Sequence, residues 1–466
     1  MRTARPLIYL LLTALLALPW HAVKAAAVTE FVLDNGLKVL VKEDHRAPVA
    51  VSQLWYKVGA SYEHGGITGL SHMLEHMMFK GTERYGPGEF SRLLAEAGAS
   101  DNAFTGRDYT AYYQKLGVDK LELAFRLEAD RMRGLLLEPG EFLKERDVVA
   151  EERRLRTEDR PNSRLYEQFM AAAYVAGPYG HPVIGWMNDI QNYTVEDLAA
   201  WYERWYAPDN AVLVVAGDVE PAAVRTLAEK HFGAIPAAGT APPKPRREPA
   251  QTGPRRIEMT IPARLPYLVM GYKTPNIQTA GEEWEPYALT VLAAILDGGS
   301  SARLQRELVR GTEVAASASA DYSLYQRLPG LFTLSGIPAD GVPVTQLETA
   351  LEGVVERLRR EPVSEEELER VKTQVVAEDV FQRDSVFYQA LRLGMLETVG
   401  LDWRRDEAFV EAVRAVTAEQ VRTVARRYLV PDALTVARLD PQPMDGQAMT
   451  AQTPPSRTQQ ENARVH

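Results

Sequence analysis

A helix–turn–strand segment that occurs twice constrains this chain more than any other feature. Thr194-Val-Glu-Asp-Leu-Ala-Ala-Trp-Tyr202 leads through Tyr206-Ala-Pro208-Asp209 into the apolar run Ala211-Val-Leu-Val-Val-Ala216. Far downstream, Thr417-Ala-Glu-Gln-Val-Arg422 leads through Tyr428-Leu-Val-Pro431-Asp432 into Leu434-Thr-Val-Ala437. The interval from threonine to proline is 14 positions in both. Each copy reads as a capped helix, a proline-marked turn and a short buried strand. Between them, Pro236 to Arg256 is rich in Pro, Ala and basic residues and reads as an extended linker. The expected fold class is therefore α+β, with two structurally similar halves, each an antiparallel-rich β-sheet packed with α-helices. The N-terminal domain is expected over 28–235, the linker over 236–256 and the C-terminal domain over 257–440. The remaining 441–466, made largely of Pro, Gln, Thr and Arg, reads as a disordered tail.

Composition narrows the classes of function. With 466 residues, 45% hydrophobic and 25% charged, the chain has the make-up of an ordinary globular protein, long enough for two domains or more. A formal net charge of −10 argues against a nucleic-acid partner. The start is basic (Met1-Arg-Thr-Ala-Arg5), then apolar from Pro6 to Trp20, then rich in small residues up to Ala27. That order is the pattern of a secretory signal peptide, expected over 1–26. Its apolar run falls short of the roughly 20 residues a membrane-spanning helix needs. A periplasmic or secreted protein, with no integral membrane segment after cleavage, is expected. Cysteine is absent, which excludes a disulfide framework, a cysteine-linked lipid anchor and thiolate metal ligands.

The chemistry concentrates in Gly69-Leu-Ser-His-Met-Leu-Glu-His-Met-Met-Phe-Lys-Gly81, where His72, Glu75 and His76 spell H-x-x-E-H. Positions i, i+3 and i+4 share one helix face, so two imidazoles one turn apart can grip a zinc ion while the glutamate faces its open position. H-x-x-E-H is a zinc-peptidase signature. Met73, Leu74, Met77, Met78 and Phe79 make the rest of the segment apolar and place it in a core. A third ligand has candidates in Glu141-Phe-Leu-Lys-Glu-Arg-Asp-Val-Val-Ala-Glu-Glu-Arg-Arg154, where Phe142, Val148, Val149 and Leu155 suggest one buried helix face. Glu145 and Glu152 are two turns apart there and share a side. Either would complete a His₂Glu set with a fourth position for water.

These motifs resemble the pitrilysin/insulysin/mitochondrial-processing-peptidase family of zinc peptidases, in its short bacterial form, over about residues 29 to 440. The resemblance implies a zinc metallopeptidase with Glu75 as general base. Glu152, 76 residues after His76, matches the family's third ligand in a Glu-Arg-Asp-Val helix, and Glu145 matches its auxiliary glutamate. Asn102, Ala103, Phe104 and Thr105 match the edge strand along which peptide substrates add. In the second half, Tyr287 to Leu296 stands where a zinc helix would recur and carries no ligand, so one zinc per chain is expected. Self-sufficient relatives also supply an Arg and a Tyr from a second half. Here Arg306 and Arg310 are present, but the Tyr position falls on Ala315 or Ala316, with Tyr322 as the next phenol. The resemblance thus implies a heterodimer in which a homologous subunit lacking H-x-x-E-H provides that pair. The alternative is a non-catalytic peptide-binding or assembly subunit of the same fold. Glu89, Glu96 and Asp101 suggest negative charge beside the site and a preference for basic peptides.

Overall fold

The computed structural model describes residues 28–241, 244 and 246–443. The expected signal peptide lies outside them, as does the expected tail beyond 443. The first half builds a sheet from β1 (Val28–Val32), β2 (Lys38–Glu43), β3 (Val49–Tyr56), β4 (Ser100–Thr105), β5 (Thr110–Gly117) and β6 (Ala211–Gly217). Their order is β1-β2-β6-β3-β5-β4. The second half uses β7 (Arg255–Pro262), β8 (Tyr267–Thr274), β9 (Ala315–Tyr322), β10 (Gly330–Pro338) and β11 (Leu434–Gln442), in the order β7-β11-β8-β10-β9. Among the described strands, only β2/β6 and β7/β11 pair in parallel; every other neighbour is antiparallel. With β1 set aside, the two orders are identical. The molecule is α+β and duplicated.

The repeated segment supplies a central strand of each sheet. Thr194 caps the helix Val195–Trp205 through a reciprocal bond with Asp197, and Thr417 caps Ala418–Tyr428 in the same way with Gln420. Each box satisfies backbone N–H groups that a helix start leaves unpaired. Short turns at Pro208–Asn210 and Pro431–Ala433 then deliver the chain into β6 and β11. Two boundaries differ from expectation. β7 starts at Arg255, inside the expected linker, and β11 continues through Pro441 and Gln442, inside the expected tail, because those residues pair with Ile261 and Pro262.

All seven residues of β6 are buried, so both faces of the first sheet are covered. One face packs on helices of its own half around Leu54, Met73, Phe125, Leu213 and Val215. The other is covered from the second half, where Ala390 and Leu393 of the helix Val386–Thr398, with Trp403, meet Trp55, Val212 and Val214. The reverse also holds. Leu165, Phe169 and Met170 of the first-half helix Pro161–Ala173 pack on Val269, Ala437 and Leu439 of the second sheet. Glycines permit both approaches: a Cβ at Gly394 would overlap the Trp55 ring, and one at Gly271 would overlap Phe169.

The described residues of the connection between halves, from 236 to 254, form neither helix nor strand, yet they are pinned. Asp209 accepts the N–H groups of Ala238, Gly239 and Thr240, and Arg246 donates to the Glu63 carbonyl at 2.8 Å. No helix among the described residues is long and apolar enough to cross a membrane.

Candidate metal centre

The motif lies on the helix Leu70–Met77. Leu70, Met73, Leu74 and Met77, at positions i, i+3, i+4 and i+7, face the core, which turns His72, Glu75 and His76 the other way. Gly69 begins the helix in a left-handed conformation (φ 86°), and a Cβ there would collide with the Ile184 carbonyl. The buried carboxylate of Glu63 accepts the N–H groups of Gly69 at 2.6 Å and Ser71 at 2.7 Å. It takes the place of a capping side chain at the positive end of the helix dipole. Burial raises the Glu63 pKa to about 7, against those two bonds.

A second helix, Pro139–Arg153, brings the acids. Glu152 Oε2 lies 3.3 Å from His76 Nε2 and 3.8 Å from His72 Nε2. One donor atom from each of the three residues falls within 4.8 Å of the others. Glu145 serves the opposite nitrogen, with Oε1 at 2.9 Å from His76 Nδ1, and is itself held by Lys80 at 2.5 Å. A carboxylate on Nδ1 fixes the tautomer that presents the Nε2 lone pair. The expected buried face of this helix needs correction. Phe142 and Val149 are buried, but Val148 and Leu155 are 49% and 56% exposed. The inner face instead carries Glu145 and Arg153, and Val148 looks into the cleft.

The electrostatics favour a cation at this point. Burial, then the neighbouring His76, lowers His72 to about 3. Burial opposes charge on His76 as well, but hydrogen bonds with Glu145 and Glu152 outweigh it and raise that imidazole to about 9. Glu152 drops to about 2; burial opposes this, and the His76 bond with the charges of His72 and Arg156 prevails. Two carboxylates converging on one imidazole stabilise positive charge, and a divalent ion satisfies the same demand. Two imidazole nitrogens and a carboxylate oxygen form an open donor set, short of the four ligands of a structural site.

Glu75 lies beside this set. Thr105 Oγ1 donates to its Oε2 at 2.5 Å. Burial raises its pKa, with the Thr105 bond working against that. Thr105 closes β4, the edge strand, whose outer rim pairs with no other described strand. Asn102, Ala103, Phe104 and Thr105 all line a cleft of about 930 Å³ together with His72, Glu75, His76 and Glu152. Within that group Phe104 also packs edge-on against Trp55, and Asn102 Oδ1 accepts the Ala103 N–H.

Several side chains stand elsewhere. Glu89 and Glu96 are bound by Arg92, Asp101 accepts from Ser91, and none of the three lines the cleft. The expected acidic field beside the site is therefore absent from the cleft wall. Arg306 pairs with Glu307, Arg310 donates to the Ser300 carbonyl, and Ala315 opens β9. Tyr322 packs on Phe332 and donates to the Pro275 carbonyl at 2.7 Å, which keeps its phenol in the second half's own core. Glu63, Lys80, Arg107, Arg156, Tyr166 and Tyr267 escape sequence reasoning, because only the fold brings them to the helix or the cleft.

Comparison with known proteins agrees with this arrangement. Residues 38–186 match the model described as insulinase (peptidase family M16), and 192–375 match the peptidase M16 inactive domain. The zinc protease PqqE of Helicobacter pylori is 35% identical over 76% of this chain and 79% of its own length. An uncharacterized zinc protease of Mycobacterium leprae is 30% identical over 88% of this chain and 91% of its own. The crystal structure of a protease from Helicobacter pylori superposes with a TM-score of 0.85 at 30% identity, covering 89% of this chain and all of that one. With its paired histidines, its glutamates and its doubled α+β architecture, the chain belongs to the M16 peptidase family.

Proposed function

We propose that this chain is a zinc-dependent endopeptidase acting on peptides or unfolded segments, with one zinc held by His72, His76 and Glu152. The observation that carries the reading is the convergence of those three donors beside Glu75 in a cleft edged by an unpaired strand. Zinc, when bound, supplies Lewis acidity and activates water for hydrolysis. Glu75 accepts the water's proton and passes it to the leaving amine; a carboxylate whose pKa is raised by burial can do both. Thr105 fixes which Glu75 oxygen remains free to do so. Main-chain groups of β4 hold the peptide as an added strand, and Glu145 keeps His76 in register.

The same reading makes the chain the zinc-bearing subunit of a heterodimer. Arg306, Arg310 and Tyr322 bond within the second half, so a phenol and a guanidinium from a homologous partner would complete the site. The leader pattern of residues 1–26 supports export to the periplasm or beyond it. The decisive experiment measures metal content and peptide cleavage of Glu75→Gln. Zinc is expected to stay near one per chain, while cleavage falls by roughly 10²–10⁴-fold. Retained cleavage would refute the assignment of Glu75. Adding a homologous chain without H-x-x-E-H should raise the rate of the native protein; full activity alone would remove the partner from the reading.

A further inference from the structure

The cleft contains a cation that its own walls do not neutralise. Arg107 sits in the turn between β4 and β5, two residues past Thr105, and lines the same cleft as Glu75. The other charged side chains there are engaged. Glu152 serves both histidines and Arg156, Glu75 holds Thr105, and Glu167 pairs with Arg153. The adjacent Asp108 is turned away into a network with Ser61, Tyr179 and Arg327. Among the described residues, no carboxylate pairs with Arg107. Its guanidinium lies 5.7 Å from the centre of the Tyr179 ring and has the phenols of Tyr166 and Tyr174 as polar neighbours. Its Nε is buried and has no hydrogen-bond partner.

An arginine stays protonated under all ordinary conditions, and a desolvated charge without a counter-ion is costly. The cost is recovered when a ligand supplies the anion. A planar guanidinium matches a carboxylate in two-pronged fashion, which a lysine does not. The position also fits the chemistry next to it. A strand advances about 3.3 Å per residue, so a peptide laid along β4 and cut beside Glu75 brings a residue roughly two positions from the cut to Arg107.

Resting on the peptidase reading, we propose that Arg107 is a specificity-determining residue that selects peptides presenting a carboxylate a short distance from the cleaved bond. That carboxylate belongs to an Asp or Glu side chain or to a free C-terminus. The preference is opposite in sign to the one that Glu89, Glu96 and Asp101 suggest.

The test reads binding separately from turnover. One fluorescent peptide is made in four forms, with Glu or Gln at the tested position and a free or amidated C-terminus. Anisotropy titrations use full-length, zinc-loaded Glu75→Gln protein. Loss of the recognised carboxylate should weaken binding roughly 10–100-fold, as expected for a hydrogen bond between charged groups. A loss on Glu-to-Gln exchange assigns the side chain; a loss on amidation assigns the C-terminus. In Glu75→Gln/Arg107→Gln the four forms should bind alike, and Arg107→Lys should restore part of the preference; thermal melts verify that each variant is folded. Equal affinity for all four forms, including no binding of any, overturns the proposal, as does a preference that survives Arg107→Gln. Cleavage by the native chain without charge preference would sink only this proposal. Absence of cleavage with and without a homologous partner would sink the peptidase reading and leave the anisotropy result standing.

Discussion

At His76 a proton and a divalent ion compete for one imidazole, because Glu145 and Glu152 approach its two nitrogens at 2.9 and 3.3 Å. Those carboxylates lift its pKa from 6.5 to about 9, against burial, so the metal-free imidazole is protonated below that value. Metal binding must expel the proton, and affinity is therefore lost as pH falls. Chelator competition should show zinc affinity rising about tenfold per pH unit from pH 6 towards 9, then levelling. Glu145→Ala should cost roughly 10–100-fold in affinity and flatten that slope, since it removes the partner of Nδ1. Unchanged affinity in Glu145→Ala would show that Glu145 has no hold on the ring. His72, Glu75 and His76 are legible in the sequence because one helical turn encodes all three. Spacing alone leaves the third ligand open, since Glu145 and Glu152 share a helix face; resemblance selects between them. The structure explains the ambiguity, for each glutamate takes a different nitrogen of the same imidazole. Arg107 is illegible because its meaning lies in having no carboxylate paired with it among the described residues, which no local pattern encodes.

Among the elements, the connection between halves behaves as a clamp. Glu248 accepts the N–H groups of Val175, Ala176 and Gly177 and pairs with Lys273 at 2.8 Å, so one carboxylate ties the linker to both halves. Its pKa falls from 4.5 to about 2; burial opposes this, and the Lys273 bond with the three backbone donors prevails. A pKa below its unfolded value contributes stability above pH 4.5 that disappears as pH drops through about 2. Glu248→Gln should lower stability at pH 7 by on the order of 1 kcal/mol once solvent screening of this part-buried group is allowed for. Denaturant titrations at several pH values should show that deficit shrinking from pH 4.5 downwards and closing near 2; a constant deficit would exclude the linkage. Composition announces this stretch as extended, but the anchoring acid sits among ordinary polar residues and is found only through its partners. The duplicated capped helices are the converse case, since their signals are local and appear in the structure with both capping boxes formed. Val148 and Leu155 mislead because apolar residues that line a cleft, like Val148, or face outward, like Leu155, can share the helical spacing of core residues.

At the scale of the molecule, the halves exchange covering helices, and no sequence pattern reports that exchange. Periodicity identifies an apolar helix face without saying which sheet it meets. Val386–Thr398 buries its face on the first sheet and Pro161–Ala173 on the second, so neither half encloses its own core. The segment 28–241 expressed alone should therefore expose Trp55, Val212 and Val214, bind a hydrophobic dye and unfold without a sharp transition. The full chain should melt as one cooperative unit. An isolated segment with a sharp melt and no dye binding would contradict this. Gly394→Ala tests the same contact from inside: its Cβ overlaps Trp55, and a loss of about 1–3 kcal/mol is expected from overpacking.

That pair of side-chain-free backbone contacts, Gly394 on Trp55 and Gly271 on Phe169, also restricts motion. Because they lie on separate sheets, a swing of one half about the other would drive main chain into an indole or a phenyl ring. The mouth of the cleft therefore keeps a set gape within a single polypeptide. Any widening of the cleft then falls to lining side chains such as Tyr166 and Val148.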